Sequence, residues 1–166
     1  LLYDAVHKLI TFSPVLMGAC RFFVYIVAAS AAGNISGWAI WCGLALALYI
    51  LGLSFVARRE SAHGSIDYWP LIFLAAPIVM AFLMNADSFR KSAELLSLVL
   101  GLWILKCLRT VLLGPDRQIG RTVSGLLAGI VLVDWLAALD VPQPIAIIFL
   151  ALFGSALLIQ RFVPAT

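Results

Sequence analysis

Charge is what this chain has least of. Asp, Glu, Lys and Arg together supply 11% of its 166 residues, where a soluble domain carries about 25%. Hydrophobic residues make up 64%, with a mean hydropathy of +1.10. A soluble domain of this size has too little interior to hide so much apolar surface, which excludes an ordinary globular protein. Cysteine is scarce as well. Cys20, Cys42 and Cys107 stand singly in apolar runs, with no C-x-x-C pair and no His at zinc-ligand spacing, so neither a structural metal nor a disulfide framework is expected. The start Leu1-Leu2-Tyr3-Asp4 has neither an initiator Met nor the charged start and small-residue cleavage site of a signal peptide. Residues 1–166 therefore read as one transmembrane domain, the C-terminal part of a longer polypeptide. The net charge of +3 and pI near 9.0 do not point to nucleic acid. The basic residues are scattered between apolar runs rather than gathered on a soluble face.

What the chain has instead is long apolar stretches. A spanning helix needs about 20 mainly apolar residues, and six runs qualify, at 14–33, 37–57, 68–84, 93–113, 122–139 and 142–160. They are about twice the length of a barrel strand and lack strict alternation, so helices are preferred over strands. Gly33-Asn34, Gly64-Ser65, Gly114-Pro115 and Pro142-Gln143-Pro144 fall between the runs, where turns belong. The expected fold is all-α: a polytopic transmembrane helical bundle of six spans, embedded among membrane lipids.

Orientation follows from charge. With the N-terminal segment inside, the inner ends and loops hold Lys8, Arg58, Arg59, Lys106, Arg109, Arg117, Arg121 and Arg161, and the outer loops hold Arg90 and Lys91. The positive-inside rule then puts both ends of the segment in the cytoplasm, with the bacterial inner membrane as the expected location. Trp38, Trp41 and Trp135 near outer ends, and Tyr68 with Trp69 at an inner end, fit interfacial belts.

Several residues inside or beside the spans need an explanation. Gly125 and Gly129 form a G-x-x-x-G, and Ala28 with Ala32 a weaker pair; such stripes let a neighbouring backbone approach, either within the bundle or from another subunit. Arg21 lies about two turns into the first span and is expected to face the interior. There it either contacts an anion in an inward-facing cavity or snorkels to the inner headgroups. Lys106 and Arg109 share a helix face. With Arg58, Arg59, Arg117 and Arg121 they either surround a phosphorylated ligand or set topology and bind anionic lipid. Asp134 is the one carboxylate well inside a span, suited to pairing with a donor on a neighbouring helix, to protonation in place or to transport. Glu60, near His63 and Asp67, sits where a hard cation such as Mg²⁺ would find oxygen ligands, or simply in a solvated charge cluster.

Three stretches carry a family resemblance. Tyr3-Asp4-Ala5-Val6-His7-Lys8, then Ser13-Pro14-Val15-Leu16-Met17-Gly18-Ala19-Cys20-Arg21, then Leu51-Gly52-Leu53-Ser54-Phe55-Val56-Ala57-Arg58-Arg59-Glu60, together resemble divergent members of the UbiA superfamily of intramembrane prenyltransferases. The likeness covers about residues 1–67, and the later helices match in pattern only. It implies an enzyme that moves a polyprenyl group from its diphosphate to a lipophilic acceptor, with two acidic motifs holding Mg²⁺ at the cytoplasmic mouth. Glu60 falls on an acidic position of the second motif and is the implied metal ligand. His7, Lys8, Arg21 and Arg58 are the implied diphosphate contacts. Ser61, Ala62 and His63 stand where acids are usual, the first acidic motif belongs to helices N-terminal to Leu1, and a sixth span exceeds the five the family leads one to expect.

The competing function is a catalytically degenerate subunit of a larger membrane complex, with membrane protein partners and a lipid, quinone or isoprenoid in the old tunnel. A secondary transporter would need broken helices or an internal repeat around a midplane polar site, and the sequence suggests neither. Haem ligation is weaker still, because His7 and His63 both lie outside the spans.

Overall fold

The computed structural model describes residues 13–58, 71–84, 90–112, 119–139 and 142–162. Among them the structure is all helical: α1 Ser13–Ala31, α2 Gly37–Arg58, α3 Leu71–Leu74, α4 Ala76–Met84, α5 Arg90–Leu112, α6 Ile119–Ala137 and α7 Gln143–Phe162. Three helices, α1, α2 and the stretch Gly120–Ala137 of α6, are long and apolar enough to cross a membrane, and Pro144–Gln160 of α7 is a shorter apolar helix.

The ends of the first two helices show how the sequence sets them. Pro14 sits in the first turn of α1, where its missing N–H is no loss. At the other end Gly33 takes φ of 88°, and the amides of Gly33 and Asn34 donate to the carbonyls of Ser30 and Ala29 at 3.0 and 3.2 Å. This is a Schellman turn, which needs a residue at ease in the left-handed region. Ser36 then caps α2, its Oγ accepting the Ala39 amide at 3.2 Å. So short a link makes α1 and α2 antiparallel neighbours.

The third predicted span is not one helix. Pro77 has no N–H to complete the α-helical ladder and its ring crowds the preceding turn. The helix accordingly tightens at Ala75, whose amide donates to Ile72 at 3.1 Å, and restarts as α4. The expectation of unbroken helices is corrected here.

α2 is the hub. It packs against α1, α3, α4 and α6, while α5 joins α4 to α6 and α7 lies against α6. The core follows from this arrangement: Leu46, Tyr49, Ile50 and Leu53 of α2 meet Leu74, Leu100, Ile104, Leu126 and Leu132. The opposite faces of several helices stay apolar and open, with Val27, Leu83, Leu95, Leu105 and Ile147 each more than 60% exposed. Water would not tolerate so much uncovered apolar surface, whereas lipid would.

Candidate functional site

Pairings between helices establish which ends lie together. Ser54 Oγ donates to Met17 Sδ at 3.3 Å, setting the end of α2 beside the start of α1. Tyr49 OH donates to the Leu126 carbonyl at 2.8 Å, setting the second half of α2 beside the first half of α6. Thr122 Oγ1 donates to the Cys107 carbonyl at 3.0 Å, joining the start of α6 to the end of α5. One end of the bundle therefore collects Arg58, Lys106, Arg109 and Arg121, all exposed. Lys106 Nζ lies 5.1 Å from the centre of the Trp103 ring, so its charge rests against an aromatic face.

The opposite end carries Lys91 and Glu94 near the start of α5, and elsewhere it is apolar. Trp38 Nε1 donates to the Ala137 carbonyl at 3.2 Å, closing the start of α2 onto the end of α6. Beside this contact a small, half-open cleft lies between α2, α4 and α6, walled by Trp41, Cys42, Pro77, Met80, Val133 and Leu136. Pro77, the residue behind the broken third span, thus forms part of its wall.

Between the two ends lies a polar group inside the bundle. Tyr25 OH on α1 donates to Asp134 Oδ1 on α6 at 2.7 Å. Arg21, one turn before Tyr25, is near enough for its charge to act on Asp134. Asp134 thus makes a pairing with a donor on another helix, one of the three roles open to it, and Tyr25 is a partner that the sequence did not announce. The only signal for it was a hydroxyl within the apolar span 14–33.

The four proposed diphosphate contacts do not form one group among the described residues. His7 and Lys8, like the metal candidate Glu60, lie outside them. Arg58 is the last residue of α2 and belongs to the basic end. Arg21 belongs elsewhere along the bundle axis. A Cβ on Gly18 would meet the Ala47 carbonyl, and one on Gly43 would meet Tyr25 and Phe22, so Arg21 stands between the levels of Ala47 and Gly43. That places it roughly 16 Å or more from Arg58 along α2, at about 1.5 Å per residue. Arg21 is also exposed, rather than enclosed by the helices around it. Among the described residues no cluster of three His, Cys, Asp or Glu side chains could hold a metal ion.

The glycine stripe is resolved. A Cβ on Gly125 would lie 2.6 Å from Cys107 Sγ, and one on Gly129 would collide with the Tyr49 hydroxyl and come within 3.4 Å of Trp103 Cδ1. Trp103 Nε1 donates to the Gly125 carbonyl at 2.8 Å. The stripe is filled from inside, by α2 and α5.

Comparison with protein-family models, with curated proteins and with solved structures gives no significant match to this chain.

Proposed function

We propose that this chain is a multi-pass integral membrane protein with six spans, both ends of the segment on the cytoplasmic side, and that it belongs to a UbiA-like intramembrane prenyltransferase. The observation that carries the reading is the polarity of the bundle. Four cations, Arg58, Lys106, Arg109 and Arg121, gather at one end of a helical body whose outer faces are apolar.

A substrate with a diphosphate head and a long hydrocarbon tail has the same two-part chemistry. The guanidinium groups match phosphate oxygens in charge and in planar, two-pronged hydrogen bonding. Arg58 also leads directly into Arg59-Glu60, the stretch that resembles the second acidic motif. In this reading Arg58, His7 and Lys8 bind the diphosphate and Glu60 contributes a carboxylate to Mg²⁺, which supplies neutralisation of charge on the departing diphosphate. The cations hold the head at the membrane surface, so the prenyl tail stays in the apolar body and its reactive carbon is kept from water.

The test is transfer by the full-length protein, given Mg²⁺, a polyprenyl diphosphate and lipophilic acceptors. Turnover that Glu60→Gln abolishes supports the reading; turnover that survives the change removes Glu60 from the site. No turnover with any donor would leave the accessory-subunit alternative. That alternative has lost one of its supports, because the Gly125/Gly129 stripe is occupied within the bundle and offers no face to a partner.

A further inference from the structure

The exposed side chains of α5 fall on one face. Leu95, Leu98, Leu102 and Leu105 follow at intervals of three and four, each at least 59% exposed, and so form a single apolar stripe along the helix. Ala93, Ser97, Leu100, Ile104 and Cys107 are buried on the other side. The stripe ends at Lys106 and Arg109, which are exposed on the same side as the leucines. These two cations are staggered by roughly 4.5 Å along the axis, at about 1.5 Å per residue. Neither makes an ion pair among the described residues. Of the described acids, Glu94 lies near the opposite end of α5 and Asp134 accepts the Tyr25 hydroxyl inside the bundle.

Lys106 is held against a fixed surface. Its Nζ lies 5.1 Å from the centre of the Trp103 ring. That ring is itself tied to two other helices: Nε1 donates to the Gly125 carbonyl of α6 at 2.8 Å, and Phe153 of α7 meets it edge to face with centroids 5.0 Å apart. An ammonium resting on an aromatic face that three helices hold in place has less freedom to lose when it takes a ligand. Arg121 lies one turn before Gly125 on the same side of α6, which brings a third positive charge to this corner of the bundle.

We propose that this corner of α5 binds one anionic phospholipid, its phosphate held by Lys106 and Arg109 and an acyl chain laid along Leu105, Leu102 and Leu98. The inference rests on the membrane embedding proposed above and is independent of prenyl transfer, which gives the diphosphate to Arg58, His7 and Lys8, so a protein without transferase activity leaves it standing. Charge and shape select the occupant. Two cations without an acid beside them attract a lipid of net negative charge, whereas a zwitterionic lipid brings a cation of its own. The stripe offers no small residue at which another helix axis could come close, so acyl chains suit it better than a protein partner. It also faces outward, where a phospholipid lies and where a reacting prenyl tail would have no cover.

The experiment is native mass spectrometry of the full-length protein in detergent, titrated in parallel with phosphatidylglycerol and with phosphatidylcholine of identical chains. The first phosphatidylglycerol is expected to bind roughly tenfold or more tightly than phosphatidylcholine. Lys106→Ala and Arg109→Ala should each weaken it roughly fivefold, one cation's share, while Lys106→Arg retains it and Lys91→Ala, at the far end of the same helix, leaves it unchanged. Arg109 is exposed, so unfolding of the Arg109→Ala protein by SDS should match the parent, which separates lost binding from lost folding. Glycerol phosphate, which has the head without the chains, should not displace the lipid. Equal affinity for the two lipids, binding indifferent to Lys106→Ala and Arg109→Ala, an equal loss in Lys91→Ala, or displacement by glycerol phosphate would each overturn the proposal. So would a polyprenyl diphosphate that binds more tightly than phosphatidylglycerol and is weakened by the same two changes, a result that would instead give Lys106 and Arg109 to the transferase substrate.

Discussion

Gly129→Ala adds one methyl group at the tightest point of the seam between α2 and α6. The new Cβ would collide with the Tyr49 hydroxyl oxygen and reach Tyr49 Cζ at 3.5 Å and Trp103 Cδ1 at 3.4 Å. Tyr49 has no room to retreat, because it is 0% exposed and its hydroxyl is held 2.8 Å from the Leu126 carbonyl. Overpacking of this kind costs about 1–3 kcal/mol. Displacing the hydroxyl forfeits a hydrogen bond that inside membranes averages about 0.6 kcal/mol and reaches about 1.7. Against this, alanine is the better helix former by about 1 kcal/mol. The net expectation is a loss of about 1–3 kcal/mol, read as a shift in reversible unfolding by SDS in mixed micelles. Tyr49→Phe removes the oxygen that the methyl meets. The double variant should therefore be more stable than the sum of the two single changes by about 1 kcal/mol or more, since residues in contact couple at this scale. A Gly129→Ala protein as stable as the parent, or two changes additive within about 0.5 kcal/mol, would refute this account of the seam.

The same measurement separates two other glycines. Gly18→Ala sets a methyl 2.8 Å from the backbone carbonyl of Ala47, whereas Gly43→Ala meets the side chains of Tyr25 at 3.0 Å and Phe22 at 3.1 Å. The Ala47 carbonyl and Tyr25 Cβ both move only with their helix, but the Ala47 contact is the shorter and the Phe22 ring can turn aside, so Gly18→Ala should be the more damaging; the reverse order would contradict the observed closeness of α1 and α2. Tyr25→Phe removes the donor to Asp134 and should cost about 0.6–1.7 kcal/mol. The loss should shrink when Asp134 is already Leu, and an undiminished loss in that background would show that the bond contributes nothing.

The helices were legible because an apolar run long enough to span a bilayer has few other structures open to it. The expected 37–57 and the observed Gly37–Arg58 differ by one residue, since Gly33-Asn34 and Ser36 state the turn and the cap locally. Pro77 was present in the sequence but lay within an otherwise apolar run, and the break at Ala75 went unread because hydropathy ignores the missing N–H. The polar interior was less accessible still. Tyr25 and Asp134 are 109 residues apart, and no local pattern says which of the helices brings a donor to a given acid. For Gly125 and Gly129 the spacing announced a close approach but not its source, because that depends on Tyr49 and Cys107, which lie on other helices.

The contacts at that stripe suggest a more general role for its glycines than close packing. Tyr49 and Trp103 both donate to carbonyls of α6, those of Leu126 and Gly125, within the turn that the stripe leaves bare. A helix carbonyl already holds an amide four residues on but keeps a second lone pair, and side chains at positions 125 and 129 would stand in the way of a donor reaching it. Lipid offers no competing hydrogen bonds, and any aromatic N–H or O–H facing the interior must find an acceptor within the protein. Trp38 on Ala137 and Thr122 on Cys107 repeat the solution at the two ends of α6. Stability along α6 thus comes from donors on α2, α5 and α6 itself bonding to backbone acceptors, and this explains how so apolar a chain can fix the register of its helices. Phe in place of Trp103 would keep the bulk and lose the donor, so its cost measures the bond itself, about 0.6–1.7 kcal/mol on the intramembrane scale.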